Sequence, residues 1–269
     1  MENIPFLKMH GLGNDFVIID GREKNYSFTS DEVQKICDRH TGVGCDQFVV
    51  IEDSEKADCL VNFYNADGSK SGACGNATRC VAWIIIKENN RENVSIETAG
   101  GILNCEKRGF ELVSVDMGIA KTAWQDIPLS KDVDTLHLPL SSGQLKDGVA
   151  VSMGNPHAVF FVENVDSVDL QNSGAKLEVN ELFPQRANIS AAQIISNKQI
   201  KLQVWERGAG ETKACGTGAC AAVVAANLRG LVEQDVEVNL PGGDLQISYI
   251  NGRVNMTGAV ATVFKGILL

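Results

Sequence analysis

Two cysteines stand in matching settings along this chain. Cys74 is followed by Gly75 and Asn76, Cys215 by Gly216 and Thr217, each at the head of a segment that reads as a helix. The first turn of a helix leaves backbone N–H groups unbonded, and the aligned peptide dipoles add to their pull on negative charge. A thiolate is such a charge, so both thiols are expected to ionise more readily than a free cysteine. The glycine lets a ligand approach the backbone closely, where its N–H can bind a carboxylate oxygen. Two such cysteines, presented to one carbon from opposite sides, suit inversion of a stereocentre without a cofactor. A thiolate removes the proton from one face, a thiol returns one to the other, and the roles exchange in the reverse direction.

The elements that must position them are written twice. VNFYNADGSKSGACGNATRC (61–80) resembles LQVWERGAGETKACGTGAC (202–220), and Cys215 follows Cys74 by 141 residues (215 − 74). The same offset sets Asn14 on Asn155, Gln47 on Asn188, Asn65 on Glu206 and Tyr64 on Trp205. With one residue of slippage, VSIETAGGILNC (94–105) matches VEVNLPGGDLQI (236–247). A constant offset over so much chain indicates two homologous lobes. The boundaries read as 1–118 for the N-terminal lobe with the first cysteine and 119–260 for the C-terminal lobe with the second. Residues 119–145 supply a connector and an early strand, and the apolar segment 261–269 is expected to pack back on the N-terminal lobe.

Runs of β-branched and alternating residues predict strands at 16–19, 47–51, 60–64, 94–98 and 112–115, with partners at 158–162, 192–195, 200–205, 236–239 and 245–250. Helices are fewer: one from an N-cap at Ser30 to about Arg39, one over 76–88, and one over 218–228 stopped by Gly230. The last is rich in alanine, which suits a helix closely enclosed by sheet. The fold class is α/β of the α+β type: two homologous lobes, each a mixed, mostly antiparallel sheet wrapped round a central helix, with the active site in the cleft between them.

Composition excludes several functions. The 269 residues are 44% hydrophobic and 22% charged, enough to bury a sizeable core, and the net charge is −10. That balance argues against nucleic-acid and membrane-surface partners, which need clustered Lys and Arg. The longest charge-free apolar stretch, 214–228, is too short and too polar to span a bilayer, and the N-terminus has no signal-peptide pattern, so a cytoplasmic protein is expected. There the eight cysteines do not form a disulfide framework, and Cys80 and Cys220 read as packing residues inside helices. No metal is expected: Cys74-x5-Cys80 and Cys215-x4-Cys220 are not zinc-knuckle spacings. GLGND and GAGETKAC match neither phosphate-loop nor dinucleotide fingerprints, so no cofactor is expected either. A thiol redox switch joining Cys74 and Cys215 is the non-enzymatic alternative. His10, His40 and His137 receive no role, and Asp46 reads as the cap of a local turn.

On KMHGLGNDF (8–16), GVGCDQ (42–47), FYNADGS (63–69), ACGN (73–76), SMGNPH (152–157), WERGAGETKACGTGACAA (205–222) and LPGG (240–243), the chain resembles the diaminopimelate epimerases, pyridoxal-phosphate-independent amino-acid racemases, nearly end to end. The resemblance implies cofactor-independent interconversion of LL- and meso-diaminopimelate for lysine and peptidoglycan synthesis, and a homodimer. It implies an acid/base pair at Cys74 and Cys215. Asn14, Asn65, Asn155, Asn188 and Arg207 would hold the distal amino-acid end of the substrate, and Gln47 also falls on a substrate position. Gly75, Asn76, Gly216 and Thr217 would bind the reacting carboxylate. His157 and Glu206 would sit near the reacting centre and help set thiol protonation. Ala77 and Thr78 depart from the family's usual GNGARC, and Cys45 replaces its usual apolar aromatic. Phe264 is the nearest aromatic to a tyrosine that some members use at the dimer contact. A racemase of proline or hydroxyproline is the enzymatic alternative, although a secondary amine has no need of the distal clamp.

Overall fold

A computed structural model describes residues 3–72 and 74–269; Ala73, in the first Ala-Cys-Gly, lies outside them. The chain divides into two compact units, Met1–Asp116 with Thr257–Leu269, and Met117–Met256.

The first unit opens with β1 (Ile4–Gly11) and β2 (Asn14–Asp20), an antiparallel hairpin. Its turn is Leu12-Gly13, both at positive φ (57° and 80°), the backbone that a two-residue hairpin loop requires; glycine accepts it freely and leucine does not. Next come α1 (Ser30–Cys37), β3 (Gln47–Glu52), β4 (Cys59–Asn65), β5 (Lys70–Ser71), α2 (Gly75–Asn89), β6 (Asn93–Thr98), β7 (Gly101–Gly109) and β8 (Leu112–Ile119). Strand β2 runs parallel to β3, and β4 parallel to β6; β3–β4, β6–β7 and β7–β8 are antiparallel. Phe16–Ile19 and Phe48–Ile51 are buried without alternation, as strands covered on both faces must be.

The second unit repeats the order: β9 (Leu138–Ser142), β10 (Leu145–Ser152), β11 (Pro156–Phe161), α3 (Leu170–Glu178), β12 (Asn188–Ser196), β13 (Gln199–Glu206), β14 (Gly210–Thr212), α4 (Gly216–Leu228), β15 (Asp235–Leu240), β16 (Gly243–Ile250) and β17 (Arg253–Ala259). Register repeats as well. Phe16 pairs with Gln47 as His157 does with Asn188, and Phe48 with Tyr64 as Ile189 does with Trp205. The last strand, β18 (Ala261–Leu268), returns antiparallel to β1 in the first unit.

Each unit is therefore a mixed sheet around one helix. Residues 76–83 of α2 and 218–226 of α4 are buried on every side, so neither helix has a solvent stripe. Within its unit α4 packs against β10, β11, β12, β13, β15 and β16. Its alanines allow that approach.

Some elements differ from the sequence reading. Helix α1 is capped by Thr29 rather than Ser30: Thr29 and Glu32 form a reciprocal capping box, which Ser30 has no glutamate three residues on to match. Helix α3 was not expected, because its buried face mixes Leu170 and Leu177 with Ser173, Gly174 and Glu178. Strand β16 is the counterpart of β7, not of the 112–115 strand: Val236 pairs with Ile247 as Val94 does with Cys105.

Candidate active site

Helix α2 begins at Gly75, with Cys74 as its N-cap in extended conformation (φ −147°, ψ 106°). The Cys74 carbonyl accepts from the backbone N–H and the hydroxyl of Thr78 at 2.8 and 2.9 Å, so the Thr78 departure adds a bond that anchors the cap. Hairpin β1–β2 delivers Asn14 to the same place. Its Oδ1 accepts from Nδ2 of Asn76 at 3.2 Å and lies 3.9 Å from the Cys74 sulfur. Gln47 and Asn65 stand opposite each other on β3 and β4, and Gln47 Nε2 donates to Asn65 Oδ1 at 3.0 Å. Asn65 in turn donates to Ser69 Oγ at 3.0 Å.

In the second unit Cys215 caps α4 with the same extended backbone (φ −113°, ψ 105°) and is buried. Its sulfur lies 3.7 Å from the Thr217 hydroxyl, which accepts from Asn155 Nδ2 at 3.3 Å. His157 Nε2 donates to Asn155 Oδ1 at 3.0 Å. Asn188 holds the neighbouring loop, accepting from the Arg207 backbone N–H at 3.0 Å and donating to Pro156 O at 3.1 Å. Arg207 also reaches Gln185 O at 2.9 Å.

Electrostatics distinguish the second thiol from the sequence expectation. Burial, then the Glu206 carboxylate, pushes the Cys215 thiol well above the ordinary cysteine range; the Gly218 N–H and the Thr217 hydroxyl act the other way and lose. A helix N-terminus alone predicts the opposite sign. Burial, then the Arg207 charge, pushes His157 down to about 3, so its imidazole is neutral and serves as a hydrogen-bonding group. Burial pushes Cys80 up to about 12, in keeping with a packing role.

Within each unit, then, the structure joins Asn14, Cys74 and Asn76, Gln47 and Asn65, the series His157, Asn155, Thr217 and Cys215, and the pair Asn188 and Arg207. Gly75 and Gly216 are the first residues of their helices. Two acidic residues carry more than the sequence suggested. Asp46 is no simple turn cap: it accepts from Asn14 Nδ2 at 3.0 Å, the Asp15 N–H at 3.1 Å and Arg39 at 2.7 Å. Glu178 on α3 accepts from Trp205 Nε1 at 2.7 Å and the Gly208 N–H at 3.0 Å, shaping the turn beside Arg207. No spacing signal in the sequence marks Glu178. Among the described residues no three His, Cys, Asp or Glu side chains gather as a metal site.

The fold is shared by a group of solved structures that includes a PhzF-family protein and a hydroxyproline epimerase. A Bacillus anthracis protein of the PhzF phenazine-biosynthesis family superposes with a TM-score of 0.70 at 18% identity, covering 100% of both chains. A hydroxyproline epimerase from Agrobacterium vitis superposes with a TM-score of 0.68 at 13% identity, covering 99% of this chain and 92% of its own. The sequence narrows the group. The model of the diaminopimelate epimerase family matches residues 6–123 and 149–263. Diaminopimelate epimerases of Rhodospirillum centenum and Acidiphilium cryptum are 51% and 49% identical, covering 97% of this chain and 91% and 95% of theirs. The chain belongs to the diaminopimelate epimerase family of isomerases.

Proposed function

We propose that this enzyme interconverts LL-2,6-diaminopimelate and meso-diaminopimelate, without a cofactor, through Cys74 and Cys215. The observation that carries the reading is the duplication: each unit follows a short strand, β5 or β14, with a helix whose N-cap is a cysteine, and each cysteine is followed by backbone and polar groups suited to a carboxylate. One sulfur, as thiolate, takes the α-proton and becomes a thiol. The electron pair moves into the carboxylate, where Gly75, Asn76, Gly216 and Thr217 hold the developing charge. The opposite thiol gives its proton to the other face and becomes the thiolate, so the stereocentre inverts and charge balances. In the substrate-free protein the Glu206 carboxylate favours the protonated form of the Cys215 sulfur.

Asn14, Gln47, Asn65, Asn155, Asn188 and Arg207 bind the rest of the zwitterionic substrate, with guanidinium for its distal carboxylate and amide oxygens for its ammonium. The two units act as lobes over 1–118 and 119–260, with 261–269 bound to the first. The enzyme works as a homodimer in the cytoplasm. Exposed Val263, Phe264 and Ile267 on β18, and a cavity of about 710 Å³ beside Leu7, Ile84 and Ile267, support a second copy as the partner. No helix among the described residues is long and apolar enough to cross a membrane.

Incubation of LL-diaminopimelate in heavy water should give meso product carrying one deuterium at the inverted carbon. Cys74→Ala and Cys215→Ala should each abolish inversion. Full activity in either variant, or turnover of proline in place of diaminopimelate, overturns the reading.

A further inference from the structure

We propose that Asp46 fixes which end of the Asn14 amide faces Cys74, and thereby holds Cys74 as a thiol before substrate binds. This rests on the reading of Cys74 as one of the two acid–base groups. An ionised carboxylate only accepts hydrogen bonds. Asp46 is clamped on both oxygens: Oδ1 by Arg39, Oδ2 by Asn14 Nδ2 and the Asp15 N–H. Its own N–H donates to the Asp15 carbonyl at 3.0 Å, so it cannot drift from the start of β2. With the Asn14 NH2 committed to Asp46, the amide oxygen must point the other way, at Asn76 Nδ2 and the Cys74 sulfur. Turning the amide over would oppose oxygen to carboxylate at one end and donor to donor at the other. An amide oxygen accepts from a thiol and repels a thiolate.

Among the described residues, the other charged or titratable groups on the elements around this corner include Lys8 and His10 on β1, Asp15 on β2, Arg39 after α1 and the fully buried Arg79 on α2, with Cys80 following it. Lys8 and Arg39 both pair with Asp15, at 2.6 and 2.7 Å. The second unit lacks the device. At the repeat offset the place of Asp46 is taken by Ala187, and Asn155 is met through its oxygen by His157. The two asparagines are thus oriented from opposite ends, which breaks the equivalence of two duplicated cysteines.

The test is the pH dependence of iodoacetamide alkylation of the substrate-free protein, read at the Cys74 and Cys215 peptides by mass spectrometry. Asp46→Asn frees the Asn14 amide to turn its NH2 to the sulfur. It should lower the Cys74 midpoint by about one pH unit, leaving Cys215 unmoved. In an Asn14→Ala background the same substitution should leave Cys74 unmoved. The swap of Asn14→Asp with Asp46→Asn again turns an oxygen to the sulfur and should return the midpoint to the wild-type value or above. An unmoved Cys74 midpoint in Asp46→Asn overturns the proposal. So does an equal shift with and without Asn14, which would mean that the carboxylate acts by charge alone. No substrate takes part, so a protein inactive on diaminopimelate can still show the expected shifts, and an active one can fail to show them.

Discussion

The side-chain oxygen of Asn155 lies 3.0 Å from Nε2 of His157, a histidine with no solvent exposure. His157 Nδ1 has no hydrogen-bond partner among the described residues, so the ring is locked as the neutral tautomer that donates through Nε2. Its ordinary value is near 6.5, and burial lowers it to about 3. Below about pH 6.5 the unfolded chain binds a proton that the folded chain refuses. Stability therefore holds above that pH and falls as pH drops, by up to about 1.4 kcal/mol per unit from this one group. Urea titrations at about pH 7.5 and about pH 5 should show the loss in the wild type and a smaller one in His157→Gln. Equal losses in both proteins would remove His157 as the source.

Asp15 answers to the opposite sign. Burial raises its carboxyl, but hydrogen bonds from Arg39 and Lys8 outweigh that and hold it well below the ordinary carboxylate range. Its contribution is present above about pH 4 and is lost as pH falls further. Asp15→Asn should leave Lys8, which is 8% exposed, without its carboxylate and cost about 3 kcal/mol at neutral pH. Combining it with Lys8→Met should recover part of that, measured as a double-mutant cycle by urea unfolding.

Gly218 sits in the first turn of α4, where a Cβ would meet Val204 Cγ2 at 3.0 Å and the Cys215 sulfur at 3.2 Å. Alanine suits a helix better than glycine, so thermal stability of Gly218→Ala should change little. Displacement of the sulfur should nevertheless lower kcat about 100-fold. A variant with normal kcat would show that the position of this sulfur is not critical.

Glu178 acts through the turn beside Arg207. Glu178→Ala strips an acceptor from Trp205 Nε1–H and the Gly208 N–H, and should destabilise by about 2 kcal/mol. Because the loosened turn carries Arg207, KM for diaminopimelate should rise more than kcat falls. A fall in kcat alone would place the effect at the thiols instead.

Short-range chemistry was legible in the sequence. The helices after the two cysteines, expected over 76–88 and 218–228 and found from Gly75 and Gly216, and the thiols at their N-termini follow from residue types within a few positions of one another, and local backbone rules act over that range. Buried runs such as Phe16–Ile19 announced their strands for the same reason. The role of Asp46 was not legible, because it depends on which strand lies beside it: its partners Asn14, Asp15 and Arg39 come from elsewhere in the chain and meet only when β2 and β3 pair in parallel. Glu178 likewise needs α3 laid against the end of β13. The neutral state of His157 and the raised thiol of Cys215 follow from burial and from Arg207 and Glu206 nearby. Hydration and charge proximity are properties of the packed chain; a sequence can name the groups, but only tertiary contact sets the medium in which they titrate.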